Sequence, residues 1–260
     1  MRFVLEERGQ RRSERTGFSP TVNLSRGEPV AITVINRLAT PTAVHWHGIE
    51  LESYFDGVAG FSGANGLTSP IIAPGDSFVA RMTPPRAGTF IYHSHVDELV
   101  QHRAGLVGAL IVRAPGEDAS HDLVWVLKSP HDRDRLAPTE VNGTENPDTT
   151  VMMRGQHYRL RLINITIGNP GATFVLTARP DSQTFRPADD SLVQRWRPLA
   201  KDGADLPPHV QNPRLGIQNV TIGETWDFEL VPERRGNLRL EIWGDVGRKR
   251  LLSRVPIRVE

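Results

Sequence analysis

Two stretches decide the fold: "HYRLRLIN", residues 157–164, and "ETWDFEL", residues 224–230. In the first, Tyr158, Leu160 and Leu162 alternate with Arg159 and Arg161. In the second, Trp226, Phe228 and Leu230 share one face while Thr225, Asp227 and Glu229 share the other. Successive side chains of a strand point to opposite faces, so a period of two predicts strands with one apolar face and one polar face. "NLRLEIW", residues 237–243, repeats the pattern, with Leu238, Leu240 and Ile242 set against Arg239 and Glu241. "GLVGALIV", residues 105–112, is continuously apolar and reads as a central strand covered on both faces. The 23 glycines and 20 prolines are spread along the chain and punctuate short runs. No long segment has a 3.6-residue period; a short helical turn is expected in "DELVQHRAG", residues 97–105. Many short strands with frequent turns predict an all-β protein built of antiparallel sandwiches or barrels.

At 260 residues the chain is long enough for one large domain or two ordinary ones. The Pro- and Gly-containing stretch "RAPGEDASHD", residues 113–122, suits a linker, which places domains at 1–115 and 116–260. "KSPHDRDRLAPTEVNGTENPDTT", residues 128–150, is expected to form surface loops. Hydrophobic residues make up 38% and charged residues 23%, the composition of a globular protein with a core. A net charge of +1 gives no global attraction to nucleic acid or to an anionic membrane. No apolar run reaches transmembrane length. The N-terminus has no apolar core of a secretory signal, and "RFVLEE" reads as a strand already under way, so a leader or an upstream domain is expected before it.

The chemistry lies in the histidines. Four of the nine fall in two H-x-H pairs, His45 and His47 around Trp46, and His93 and His95 around Ser94. On a strand, residues i and i+2 point the same way and sit roughly 6.6 Å apart, so each pair projects two imidazoles toward one place. Two such strands side by side aim four imidazoles into a shared space. Imidazole donors suit copper, zinc, nickel or iron, and spacing alone does not choose among them. A single H-x-H is more often two unrelated surface histidines than a site; two pairs in one half of the chain favour a metal. The chain has no cysteine, which excludes disulfides, thiolate zinc sites, cysteine nucleophiles and thiolate-bound copper within it.

The flanking residues narrow the choice. "HWHGIELESYFDGVAGFSG", then "SPIIAPGDSFVARMTPPRAGTFIYHSH", then "GLVGALIV" resembles the first cupredoxin domain of multicopper oxidases, in order and at family-like spacing across residues 45–112. The second half resembles the family's middle domain more loosely, through "VNG", "YRLRLINIT", "AKDGADLPP" and "TIGETWDFEL". The resemblance implies two cupredoxin-like Greek-key domains and copper as cofactor. In such oxidases a trinuclear copper cluster reduces O2 to water with electrons from a reducing substrate. By resemblance, His45 would hold the type 2 copper, and His47, His93 and His95 the type 3 pair. Asp56, in the D-G turn, matches a carboxylate that delivers protons; taken without the histidines it is an ordinary turn residue. Asp97 and Glu98 either orient a ligand imidazole or, more simply, are solvated loop charges. His102 sits at no position the family uses, and His121, His131, His157 and His209 read as surface residues. Met82, Met152 and Met153 read as packing rather than as copper ligands. The resemblance suggests a periplasmic or secreted location.

The family also needs a second set of histidine segments and a type 1 copper held by a cysteine, and this sequence contains neither. Three explanations compete. The cluster is completed by a third cupredoxin domain or by a homo- or hetero-oligomer partner; the chain is a non-catalytic or degenerate copper-binding cupredoxin protein with a structural or interaction role; or it is a mononuclear zinc or copper hydrolase. The flanking motifs argue against the last. The four imidazoles are expected at an open surface of the first domain, where a partner would bind.

Overall fold

The computed structural model describes residues 1–7, 10–11, 18–130, 139–167, 171–179, 191–244 and 250–260. The chain packs as two compact units, Met1–Glu117 with Asp202–Ala204, and Asp118–Lys201 with Asp205–Glu260.

In the first unit the main strands are β1 (Val22–Ser25), β2 (Val30–Ile35), β3 (Val44–His47), β4 (Ser77–Met82), β5 (Gly88–Ser94) and β6 (Val107–Arg113). Four of them form a sheet in the order β1–β6–β5–β3, and β2 pairs antiparallel with β4. The parallel pairing of β1 with β6 shows that the chain crosses between layers instead of running simply up and down. Both layers feed one core. The four-stranded sheet contributes Val44, Trp46, Phe90, Tyr92, Leu110 and Val112, and β2 and β4 contribute Ile32, Val34, Ala80 and Met82. Strand β2 alternates half-buried Val30, Ile32 and Val34 with exposed Ala31, Thr33 and Ile35, the period a half-covered strand requires. Strand β6 has neighbours on both edges and is buried almost throughout, as its continuous apolar run predicts. The expected helical turn is α1 (Glu98–Gln101). Residues 2–5 are not in a strand, contrary to the reading of "RFVLEE"; Phe3 instead packs its ring 5.1 Å from Tyr92.

The second unit is a larger sandwich. Its strands are β7 (Asp122–Lys128), β8 (Thr150–Met152), β9 (Tyr158–Ile165), β10 (Gly171–Thr177), β11 (Arg195–Lys201), β12 (Ile217–Thr221), β13 (Thr225–Leu230), β14 (Gly236–Gly244) and β15 (Arg250–Val259). One sheet contains the order β7–β9–β13–β11, and the other runs β8–β15–β14–β10–β12. Trp125, Leu160, Leu162, Trp196 and Phe228 from the first meet Phe174, Leu176, Leu240, Ile242 and Val255 from the second. Two sheets interdigitating their inner faces make a β-sandwich core. The stretch 128–150 is not all surface loop: Val141 is buried and pairs with Leu127. Among the described residues, no helix is long and apolar enough to cross a membrane.

The two opening stretches, β9 and β13, are neighbours, with Leu160 opposite Phe228 and Arg161 opposite Asp227. Their apolar face is the core, but their polar face is not solvated at Arg161 and Asp227. Arg161 is fully buried, with Nη1 3.0 Å from Asp227 Oδ2 and Nη2 2.7 Å from Asp122 Oδ2. On β14, Glu241 is buried too and accepts from Arg239 Nε at 2.8 Å and Trp243 Nε1 at 3.1 Å. Alternation fixes which residues share a face, not what covers that face; these charges are tolerated inside because each is paired.

Candidate metal centre

Strands β3 and β5 are antiparallel neighbours whose register sets His45 opposite His93 and Trp46 opposite Tyr92. The pleat then does the rest. Trp46 and Tyr92 enter the core on one face, and His45, His47 and His93 share the other. His95 lies one residue beyond β5, where its N–H donates to Ala43 O at 3.0 Å and continues the pairing. The His45 ring centroid is 5.4 Å from His47, 5.3 Å from His93 and 5.5 Å from His95. Ring nitrogens of His45, His47 and His93 lie within 4.8 Å of one another, and His93 Nε2 is 3.4 Å from His47 Nδ1.

The four are not equivalent. His93 is buried, while the side chains of His45 and His95 keep 17% and 32% of their exposure. The cluster therefore runs from the interior to a half-covered rim, which corrects the expectation of an open surface. On His93 the cover includes the His102 ring, 4.6 Å away centroid to centroid.

The turn after β3 holds His45. Asp56 ends a short 3-10 turn, Ser53–Phe55. Its main-chain oxygen lies 2.9 Å from His45 Nδ1 and accepts from Trp46 N–H at 3.3 Å. A carbonyl oxygen only accepts, so Nδ1 of His45 carries the hydrogen and Nε2 keeps the lone pair. The Asp56 carboxylate stands 3.4 Å from the same Nδ1 and is about one quarter exposed. Glu98, at the start of α1, reaches His95 Nε2 at 3.2 Å, which corrects its reading as a solvated loop charge. An acidic residue three positions after a histidine, opening a helix, is the signal that pointed to it. His102 is buried with Nε2 2.9 Å from His93 Nδ1. His157 and His209 are exposed, His121 is half-buried beside Tyr158, and His131 lies outside the described residues. Met82 and Met152 are core residues and Met153 is exposed.

Burial favours the neutral form of His47, His93 and His102, the form of imidazole that binds metals. It lowers His93 from 6.5 to about 2, with repulsion from His102 adding to the effect. Burial lowers His47 as well, with His45 contributing, and lowers His102. A folded pKa below the unfolded one means that the unfolded chain takes up more protons once the pH drops under 6.5. The metal-free protein should thus be unaffected by these groups above that pH and lose stability below it, by about 1 kcal/mol for His93 alone between pH ~7.5 and ~5.5. Urea midpoints across that interval check this; a midpoint that rises on acidification contradicts it.

A family model described as multicopper oxidase matches residues 14–117, the span that contains all four imidazoles. Those residues form a multicopper oxidase domain. Multicopper oxidase MmcO of Mycobacterium tuberculosis is 35% identical over 108 residues, covering 42% of this chain and 20% of that protein. A laccase of Neurospora crassa is 30% identical over 208 residues, 69% of this chain and 32% of that protein. The chain thus matches less than a third of either relative's length. A crystal structure of a multicopper oxidase superposes with a TM-score of 0.73 at 20% identity, covering 94% of this chain and 79% of that one. That likeness carries the fold: the strand-rich units are cupredoxin-like β-sandwiches.

Multicopper oxidases take copper as cofactor, O2 as acceptor and a reducing substrate as donor. The residues present fit that metal. Imidazole nitrogen is a good copper donor. A metal bonded at about 2 Å to each of several nitrogens needs them no more than about 4 Å apart. The 4.8 Å envelope of His45, His47 and His93 holds one ion after small ring rotations, or accommodates more than one.

Proposed function

We propose that this chain binds copper through His45, His47, His93 and His95 and supplies half of a trinuclear site for O2 reduction coupled to oxidation of a reducing substrate. His45 takes the type 2 position, and His47, His93 and His95 take the type 3 positions. The observation that carries the reading is the convergence of imidazole nitrogens from two adjacent strands within 4.8 Å. Copper, when bound, relays single electrons from the substrate to O2. The chain's own residues do the rest. The Asp56 carbonyl fixes the His45 ring with Nε2 free. The Asp56 carboxylate, partly exposed and beside that ring, takes protons from water and passes them inward as O2 is reduced. Four imidazoles fall short of a three-copper set, and the chain has no cysteine for a type 1 copper. The remaining ligands and the electron entry therefore come from a further cupredoxin domain or a partner chain.

The test is copper loading of this chain followed by metal analysis and electron paramagnetic resonance. Copper should be retained without an intense blue band, since no thiolate is present. His93→Ala should weaken retention by more than about tenfold, because even outer-shell losses at metal sites cost roughly 10–100-fold. Preference for zinc with no copper retained, or laccase-type turnover by this polypeptide alone, sinks the proposal.

A second reading, a copper-binding cupredoxin protein with no oxidase turnover, draws on the same absence of cysteine. The two separate on adding a cysteine-bearing cupredoxin domain: only the first expects O2 consumption to start.

A further inference from the structure

Asparagine is followed by glycine at two places in the sequence, Asn65–Gly66 and Asn142–Gly143. Both pairs make the same kind of turn. Asn65 and Gly66 join the short strands Gly63–Ala64 and Leu67–Thr68, with φ 52° and 80°. Asn142 and Gly143 join Val141 to Thr144, with φ 50° and 77°. Two successive positive φ values mark the type I′ hairpin turn, which asparagine and glycine fill with the least strain.

The two asparagine side chains differ. Asn142 Oδ1 accepts from Val126 N–H at 2.8 Å, and Asn142 Nδ2 donates to Val124 O at 2.8 Å. Both ends of that amide are pinned to β7. Asn65 and Gly66 are exposed, and among the described residues the Asn65 amide has no hydrogen-bond partner. An amide held only by solvent is free to swing its Cγ onto the next main-chain nitrogen, and glycine has no side chain to block the approach. In that reaction the glycine nitrogen bonds to Cγ and the side-chain nitrogen leaves as ammonia, closing a five-membered imide. Water then cleaves one of the two C–N bonds of the imide. One cleavage leaves aspartate in a normal main chain; the other leaves isoaspartate, with the main chain routed through the side-chain carboxyl carbon.

We propose that Asn65 is a site of spontaneous deamidation and that Asn142, in the same kind of turn, is shielded by its two bonds to β7. The product places a carboxylate at the tip of the first hairpin. The isoaspartate form also adds a methylene to a two-residue turn whose length sets Gly63 opposite Thr68.

The test is to age the folded protein in mildly alkaline buffer, digest it, and measure asparagine, aspartate and isoaspartate at both positions by mass spectrometry in the same sample. Asn65 should convert about 10–100-fold faster than Asn142, because two hydrogen bonds at Asn142 must break before attack. Unfolding the chain in guanidinium should remove most of that difference. No conversion at Asn65, equal rates in the folded protein, or faster conversion at Asn142 overturns the proposal. A gap that survives unfolding overturns it too, since the neighbouring residues and not the contacts with β7 would then set the rates.

Discussion

Gly57→Ala should cost the first unit about 3 kcal/mol or more and release the clamp on His45. Gly57 follows Asp56 with φ 83°, a backbone region that side-chain-bearing residues adopt only with strain. The heavier cost is steric. A Cβ there would stand 1.7 Å from Val44 O and 2.5 Å from Val44 C. Those atoms belong to β3 itself, immediately before His45, so the collision cannot be relieved by turning a flexible side chain. Either the turn lifts off or the strand moves. In both cases the Asp56 carbonyl loses His45 Nδ1 and Trp46 N–H, and the outer edge of β3 loses its cover. Gly60→Ala is the control. Gly60 has φ 80° but nothing within 4 Å of its would-be Cβ, so only the conformational cost of about 1–2 kcal/mol applies. Denaturant melts of the two variants should differ by the collision. Equal melts, with copper retention unchanged, would show that the turn does not grip β3.

Asp227→Ala should destabilise the second unit by about 3–5 kcal/mol, the cost of leaving a buried charge without its partner. Asp227 is 1% exposed and accepts from Arg161 Nη1 at 3.0 Å and Arg159 Nη2 at 2.7 Å. Arg159 is about one quarter exposed and can find water once released. Arg161 is fully buried and would lose the Asp227 carboxylate while Asp122 stays beside it. The comparison is Glu229→Ala on the same strand. Glu229 is about one quarter exposed, and Arg197, its partner at 2.8 Å, more than one third. Solvent screens such a pair, and its loss should cost less than about 1 kcal/mol. Urea unfolding of the two variants would show the contrast; similar losses for both would mean that water reaches the Arg161 network.

Much of this architecture is legible in the residue order. The apolar faces of β9 and β13 follow from side-chain alternation, and the covered Val107–Arg113 strand from its continuous apolar run; that Leu160 lies opposite Phe228 is set by the fold. The polar faces of β9, β13 and β14 were not legible in the same way. Arg161, Asp227 and Glu241 look like solvent-facing charges until their partners, some of them dozens of residues away, are brought beside them. At the metal centre, H-x-H spacing brings His45 to His47 and the flanking motifs point to His93 and His95. The Glu98 contact and the His102 contact follow Asp97, which adopts φ 47° at the start of α1. A left-handed aspartate leaves only a faint trace in sequence, since aspartate tolerates that conformation without demanding it.

Trp46 sits between His45 and His47, and Tyr92 directly precedes His93, so each of these histidines is hinged to an aromatic anchor one peptide bond away. Any slip of β3 or β5 that repacks the anchors swings the imidazoles in the opposite sense. The strands therefore offer little room for gradual tuning. If the copper-site reading holds, variation that adjusts metal preference while sparing the scaffold has its freedom at Asp56, which ends the 3-10 turn, and at Glu98, which opens α1, both touching the rings from outside the sheet; a selection for altered metal specificity should recover its viable changes there.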